Sequence, residues 1–167
     1  ALLPPLLDIL GCPNFAFEWA GTTSRGKTTS FMLAASVWGH PDQRHTDGSV
    51  ARGWDATVVG IEQAAQFCSG TPLFVDDTKV ASNKERIPQL IYTIEKGLGR
   101  TRGARNGGMQ LNRTFRTVLI STGEAPLISF SKDGGLRTRV LEIMDPPFGE
   151  YSEATRSVVG DVREGVL

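Results

Sequence analysis

A short glycine-containing segment near the amino terminus has the residue types and spacing needed to bind phosphate. It reads GTTSRGKT over Gly21–Thr28, which satisfies the pattern Gly-x-x-x-x-Gly-Lys-Ser/Thr in full. The two glycines allow a tight turn that brings backbone N–H groups to phosphate oxygens, and a following helix adds the positive end of its dipole. Lys27 would reach the β- and γ-phosphates, and the Thr28 hydroxyl would be a ligand of Mg²⁺. The pattern therefore predicts a nucleotide site.

The residues expected to contact the nucleotide form one continuous run: Gly21, Thr22, Thr23, Ser24, Arg25, Gly26, Lys27, Thr28 and Thr29. Thr29 is included because its hydroxyl is placed to bond a further phosphate oxygen. A guanine-specifying Asn-Lys-x-Asp motif would begin at Asn83, but Arg86 stands in its fourth place, so GTP is not favoured. The predicted cofactors are ATP and Mg²⁺.

Two adjacent acids, Asp76 and Asp77, follow the apolar run Leu73–Val75. Ligands of parallel sheets bind where strands end at their carboxyl termini, so these acids are expected beside the phosphate-binding segment. Phosphoryl transfer needs a carboxylate for the metal's water shell and a group that orients the attacking water. Asp76 is assigned to Mg²⁺ and Asp77 to the catalytic water. The alternative is that the two acids only begin a turn.

A second polar sequence, Ser121-Thr122-Gly123-Glu124, follows the apolar run that ends at Ile120. The Thr122 hydroxyl is expected between the two acids and the γ-phosphate, where it would sense that phosphate. The alternative is that the hydroxyls cap the start of a helix and that Glu124 lies in its first turn.

Basic residues are concentrated in one stretch although the chain as a whole is neutral, with 18 Lys and Arg against 18 Asp and Glu. Residues 96–116 hold six Lys or Arg and no acid, and their glycine-rich part, 97–108, suits an exposed loop or hairpin. Arginines in such a loop can bind a phosphate backbone without reading bases. The loop is predicted to bind single-stranded DNA through three of its arginines, Arg100, Arg102 and Arg105. The alternatives are contact with a neighbouring subunit or its nucleotide, and a solvated charged turn.

Apolar runs and helical spacings alternate along the chain. Strands are predicted over 15–20, 54–59, 73–75, 115–120 and 139–144, and helices over 27–38, 60–67 and 86–98. The residues after Pro147 leave room for one more helix. This alternation predicts an α/β domain with a mainly parallel sheet.

The length of 167 residues predicts one domain, 1–167. Because the first residue is Ala1 rather than Met, the domain is predicted to be a piece of a longer chain. No apolar run approaches the roughly 18 residues that span a bilayer, so no membrane partner is expected. Two cysteines without a disulfide pattern favour a cytoplasmic location.

The motifs taken together resemble DUF927, a family of domains of unknown function. The resemblance lies in GWDATVVGIEQAAQFCSGTPLFVDDT, the Arg/Gly loop, VLISTGE and GGLRTRVLEI, and it extends from about Phe15 to Phe148. The family comprises P-loop ATPase domains of primase–helicase-like replication proteins from phages, plasmids and integrated elements. It is related to AAA+ and superfamily 3 helicases.

The resemblance implies a three-layer P-loop NTPase fold with five strands in the order 5-1-4-3-2, assembled as a homo-oligomeric ring. It implies a basic pore hairpin at the Arg/Gly loop. Gly135 and Arg139 match the family's late Gly…Arg element, which makes Arg139 a candidate phosphate-sensing or finger residue, with Arg137 as its rival. The family usually has an Asp-Glu pair where this chain has Asp76-Asp77, and this departure bears on the hydrolysis rate more than on binding.

These features favour an ATP hydrolase that acts as a DNA helicase or translocase in the replication protein of a phage or mobile element. Two alternatives stay open. One is a P-loop NTPase that works as a loader, switch or packaging motor. The other is a nucleotide-binding assembly module with little hydrolysis, which the Asp at position 77 keeps open.

Overall fold

The first strand of the sheet leads directly into the phosphate-binding segment. In a computed structural model, which describes residues 1–45, 47–81, 83–99, 114–132, 134–150 and 152–166, strand β1 is Phe15–Ala20, as its apolar run predicts. Alternate residues of β1 face opposite sides of the sheet, so Ala16 enters one core cluster and Phe17 packs against the other. A strand covered on both faces is typical of the middle of an α/β sheet.

Five strands form one parallel sheet in the order β2-β3-β4-β1-β5, which is the predicted 5-1-4-3-2 counted from the opposite edge. This confirms the predicted fold class. The other strands are β2 Ala51–Gly53, β3 Leu73–Asp76, β4 Val118–Gly123 and β5 Val140–Ile143. The helices are α1 Lys27–Ser36, α2 Val58–Phe67, α3 Ile87–Lys96 and α4 Glu153–Val166.

Helices cover both faces of the sheet and complete its three layers. The core under α2 and α3 includes Ile61, Leu90 and Ile94 against the strand residues Leu73 and Leu119. The core under α1 is built around Phe31 and Phe74, whose rings meet edge to face at 5.5 Å. Helix α4 fills the predicted place after Pro147 and packs against α1.

The predicted strand over 54–59 is wrong. The strand here is β2, Ala51–Gly53, and the chain turns at Trp54 before α2 begins at Val58. The Thr57 hydroxyl accepts a hydrogen bond from the Gly60 N–H at 3.0 Å and so caps the helix, which opens two residues earlier than predicted. An apolar residue stands at position 54 because Trp54 is buried in the core, where it is only 4% exposed, and not because it belongs to a strand.

The predicted start at Phe115 of the strand that follows α3 is also wrong, because β4 begins at Val118. The buried side chain of Asn14 replaces strand pairing in this stretch. Its amide donates to the carbonyls of Ile94 and Phe115 at 2.8 and 3.1 Å, and its oxygen accepts from the Thr117 N–H at 3.1 Å. Asn14 thereby ties the end of α3 to the approach to β4.

A parallel sheet has a carboxyl edge and an amino edge, and the predicted functional residues divide between them. The segment after β1, the acids that end β3 and Thr122 of β4 lie at the carboxyl edge. The basic segment leaves α3 and returns to β4 at the amino edge, where Leu98 and Thr114 form an antiparallel bridge. Arg100, Arg102 and Arg105 themselves lie outside the described residues.

Candidate functional site

The phosphate-binding segment has the backbone conformation that its glycines predict. Gly21 and Gly26 have φ of 134° and 83°, and Ser24 between them has φ of 64°. At Gly26 a side chain is disfavoured by this φ, and an added Cβ would lie 2.6 Å from Cδ2 of Phe148 unless that ring shifted. The Gly21 N–H donates to the Gly123 carbonyl at 3.1 Å, which fixes the start of the loop beside the end of β4.

Lys27 lies at the first position of α1, with its side chain folded along the loop. Its ammonium donates to the carbonyls of Gly21 and Thr22 at 2.9 and 2.7 Å. An ammonium has three N–H donors, so one is left for a phosphate oxygen. Burial lowers the pKa of Lys27, while the carboxylates of Glu124, Asp77 and Asp76 act in the opposite direction. Positive charge at this point is therefore balanced by acids at the carboxyl ends of β3 and β4.

A hydrogen-bond chain through Thr122 joins the two acids. The Thr122 hydroxyl donates to Oδ1 of Asp76 and accepts from the Asp77 N–H at 3.2 Å. Burial raises the pKa of Asp76, and the Thr122 hydrogen bond opposes that rise. Asp77 has the left-handed φ of 58°, and its Oδ1 accepts from the Lys79 N–H at 3.0 Å. The structure therefore brings Thr122 into contact with both acids, and its contact with a γ-phosphate stays a prediction.

A cavity of about 360 Å³ lies between the loop and the end of β4. We call it the phosphate cavity. The predicted residues that line it are Thr23, Ser24, Arg25, Gly26, Lys27, Thr28, Thr29, Asp77 and Thr122. Asp76 is not among the lining residues, although its electrostatic effect reaches Lys27. Thr29 is only 6% exposed, so its hydroxyl has less access to the cavity than the exposed Thr28.

Two charged residues of the phosphate cavity, Glu124 and Arg163, were not assigned a catalytic or binding role from sequence. Glu124 accepts from the Thr23 hydroxyl at 2.5 Å and from the Lys79 ammonium at 3.2 Å, and these bonds lower its pKa. Its position two residues after Thr122, in the polar sequence at the end of β4, is the available signal. Arg163 comes from α4, together with Val159, and no local pattern connects that helix with the loop.

Arg139 is not brought to the phosphate cavity. It lies immediately before β5, at the amino edge of the sheet, where its guanidinium pairs with Glu95 at 3.2 Å and stacks over the Tyr92 ring at 4.9 Å. It also donates to the Gly135 carbonyl at 2.6 Å. Arg139 is thus far from its own subunit's loop by topology, and a phosphate-sensing role within one subunit does not fit this position.

The oxygen donors at the carboxyl edge suit Mg²⁺, which prefers hydroxyl, carboxylate and phosphate oxygens. Thr28 offers a solvent-exposed hydroxyl in the phosphate cavity, and Asp76 offers a carboxylate at the end of β3. Within the described ranges, no group of three or more His, Cys, Asp or Glu side chains is placed to hold a metal ion.

A buried glutamate, Glu18, lies behind this edge of the sheet. One of its carboxyl oxygens accepts from the Leu127 N–H at 2.6 Å, and the other has no partner in the part of the chain that is described. Glu142 stands opposite it on β5 and accepts from the Ile128 N–H at 2.8 Å. Burial raises the pKa of Glu18 to about 8, with a further rise from Glu142. The pair holds the segment that follows Glu124.

We expect Glu18 to make the protein less stable as the pH rises toward 8. Between pH 4.5 and about 8 the folded chain holds a proton on Glu18 that the unfolded chain has lost, so the free energy of unfolding falls with pH. The slope is at most about 1.4 kcal/mol per pH unit. In Glu18→Gln this contribution disappears, and urea unfolding from pH 5 to 8.5 should show a shallower decline. The exposed Glu164→Gln is the control, and parallel curves for Glu18→Gln and the unmodified protein would contradict the assignment.

The fold and the loop define a P-loop α/β domain with a five-stranded parallel sheet. The chain belongs to the family described as "Domain of unknown function (DUF927)", whose sequence profile matches residues 1–114. This confirms the resemblance identified from the motifs. No match to a curated protein is found.

A solved structure described as "SCCmec type IV Cch - active helicase" has a similar fold. The similarity covers 97% of this chain with a TM-score of 0.68 and 22% sequence identity. This chain spans 29% of the length of that helicase. This chain therefore shares its fold with part of that structure. Among the described residues, no helix has the length and apolar character needed to cross a membrane.

Proposed function

We propose that this chain is the ATPase domain of a nucleic-acid motor that binds ATP and Mg²⁺ and acts as a DNA helicase or translocase. One observation supports this most directly. The loop with Lys27, together with Asp77 and Thr122, borders a single cavity at the carboxyl edge of the sheet. These are the groups that phosphoryl transfer requires, and they come from three separate parts of the chain.

In the proposed reaction, water attacks the γ-phosphate in line with the leaving oxygen. The loop N–H groups and Lys27 hold and neutralise the phosphates, Asp77 orients the water, and Thr122 positions both acids through its two hydrogen bonds. Thr28 and Asp76 would hold Mg²⁺, which would neutralise charge on the phosphate oxygens. Positioning and charge neutralisation thus account for most of the expected rate.

The proposed nucleic-acid contact is the basic segment between α3 and β4. Its two ends are fixed, because Leu98 and Thr114 are bridged and the Phe115 N–H donates to the Gly97 carbonyl at 2.9 Å. A Cβ on Gly97 would lie 2.6 Å from the Phe115 carbonyl oxygen, so a glycine is needed for this close approach. These described ends lie at the amino edge of the sheet, away from the loop, so DNA bound by the segment would not compete with ATP for the same edge.

A ring of identical subunits fits the placement of Arg139. A head-to-tail interface places different surfaces of two copies in contact and closes into a ring when the rotation permits. Arg139, remote from its own loop, would then serve as a finger toward the nucleotide of the next subunit. The fold neighbour's description as a helicase supports a motor, and its SCCmec origin supports a role in mobile-element replication. The proposed cytoplasmic location is supported by the two cysteines that lack a disulfide pattern.

A second candidate function, an assembly module that hydrolyses ATP slowly, is favoured by the contacts of Asp77. Its Oδ1 already accepts from the Lys79 N–H at 3.0 Å, and its side chain is one methylene shorter than a glutamate. Both features limit its reach toward a catalytic water. The effect of DNA on ATP turnover distinguishes the two candidate functions, because only a motor couples DNA binding to ATP hydrolysis.

We expect single-stranded DNA to stimulate ATP hydrolysis by the whole chain and added salt to weaken that stimulation. In a variant with Arg100, Arg102 and Arg105 changed to Ala, basal turnover should stay within about twofold and stimulation should disappear. Since each phosphate contact contributes about 0.7 to the salt slope for single strands, the slope of log affinity against log salt should fall by about 2.

The matched control changes Arg44, Arg52 and Arg156 to Ala, which removes the same charge from exposed positions elsewhere. It should keep its DNA response. Unchanged stimulation in the first variant would indicate that the segment contacts a neighbouring subunit instead of DNA. ATP binding with negligible turnover under all conditions would favour the assembly module.

A further inference from the structure

A second cavity, of about 330 Å³, lies on the other side of the phosphate-binding loop. We call it the β5-side cavity. Its walls are the start of the loop, at Gly21 and Thr22, and the segment that follows β5, including Met144, Asp145, Pro146 and Glu150. Arg25 and Lys27 border both this cavity and the phosphate cavity, so the two spaces meet at the loop. Its volume is at the lower end of the range for small-molecule sites.

The positions of the two cavities indicate how a nucleotide would be oriented across the loop. Asp77, Thr122 and Glu124 border the phosphate cavity on the β4 side of the loop, so the terminal phosphate belongs there. Strand β1 lies between β4 and β5, and the β5-side cavity is on the opposite flank. A phosphate chain that crosses the loop with its γ end toward β4 must carry its sugar and base toward β5.

The segment after β5 is held in place on both sides of a tight turn. The Gly149 N–H donates to the Pro146 carbonyl at 3.0 Å, with Gly149 at φ of 80°. Phe148 in this turn packs against Gly26, so the turn rests on the loop itself. The Thr155 hydroxyl donates to the Glu150 carbonyl at 2.9 Å at the start of α4. Asp145 and Glu150 are five positions apart in the sequence, and this turn brings both to the β5-side cavity.

We infer that the β5-side cavity binds the ribonucleoside of the nucleotide, and this inference rests on the proposed ATP-binding function. Asp145 and Glu150 would accept hydrogen bonds from the ribose hydroxyls. Ionised carboxylates are acceptors only, so they suit the two donors of a cis-diol and repel phosphate. Met144 and Pro146 offer apolar surface for the base. The site therefore selects ribonucleotides over 2′-deoxyribonucleotides.

The experiment compares the affinities of four Mg²⁺-loaded probes for the whole chain by calorimetry: ATP, 2′-deoxy-ATP, 3′-deoxy-ATP and inorganic tripolyphosphate. Tripolyphosphate reports on the loop alone. We expect ATP to bind about tenfold or more tightly than each of the others, the difference expected for lost hydrogen bonds to charged groups. In the double variant Asp145→Asn with Glu150→Gln, the preference for ATP over the deoxy forms should fall below about threefold, with tripolyphosphate affinity equal or higher.

The control is the double variant Asp161→Asn with Glu164→Gln, which removes the same charges from exposed positions of α4 that border neither cavity. It should keep the ribose preference. Equal affinities of ATP and tripolyphosphate for the unmodified protein would contradict the nucleoside site but not the phosphate-binding loop. An unchanged preference for ATP over the deoxy forms in the Asp145→Asn, Glu150→Gln variant would have the same meaning. Failure of all four probes to bind would overturn the proposed function as well.

Discussion

Replacement of Lys27 by alanine should lower ATP turnover by at least about 100-fold and weaken ATP binding. The ammonium is the cation of the loop expected to meet the β- and γ-phosphates, and removal of one preorganised charge from a phosphoryl-transfer site has effects of this size. The variant also loses the bonds from Lys27 to the Gly21 and Thr22 carbonyls. Calorimetric titration with ATP and a steady-state phosphate-release assay measure the two effects.

The matched control is Lys132→Ala, which removes an exposed lysine that does not border the phosphate cavity. It should match the unmodified protein in both assays. Circular dichroism and thermal unfolding establish that the Lys27 variant is folded, since α1 begins at that residue. Normal turnover in a folded Lys27→Ala protein would contradict the assignment of the loop to the catalytic site, and the proposed ATPase function with it.

The loop and the acids at a strand end could be predicted from the sequence because each depends on local rules, whereas the sheet order was implied by the resemblance to the family. The Gly-Lys pattern fixes a strand-loop-helix unit, and an apolar run followed by Asp76-Asp77 places acids at a strand end. Trp54 misled the strand prediction because an aromatic residue looks the same in a strand and in a turn packed into the core. The positions of Arg163 and Glu150 at the two cavities could not be predicted. They depend on how the segment after β5 and helix α4 pack against the phosphate-binding loop.

Strand β4 runs from the amino edge of the sheet to its carboxyl edge. It begins next to Thr117, where Asn14 holds the approach from the basic segment, and it ends with Thr122, which bonds Asp76. Its six residues span roughly 20 Å. Every residue of β4 is buried, and β1 and β3 pair with it on either side. In the proposed motor, β4 is therefore the packed, hydrogen-bonded element that lies between the DNA contact and the acids.

Replacement of Asp77 by asparagine should separate ATP binding from hydrolysis. Asparagine tolerates the left-handed conformation at φ of 58° and can still accept the Lys79 N–H bond, so the local backbone should be kept. It lacks the negative charge that orients and polarises the attacking water. We expect ATP affinity within about threefold of the unmodified protein and turnover reduced by about 100-fold or more.

Asp77→Glu supplies the second arm of this test, because it restores the family's usual acid and extends the reach by one methylene. If Asp77 orients the water from too great a distance, the glutamate variant should hydrolyse ATP faster than the unmodified protein in single-turnover measurements. Normal turnover in Asp77→Asn would instead show that another group activates the water. Glu124 is then the next residue to replace, because it borders the same cavity and bonds the loop through Thr23.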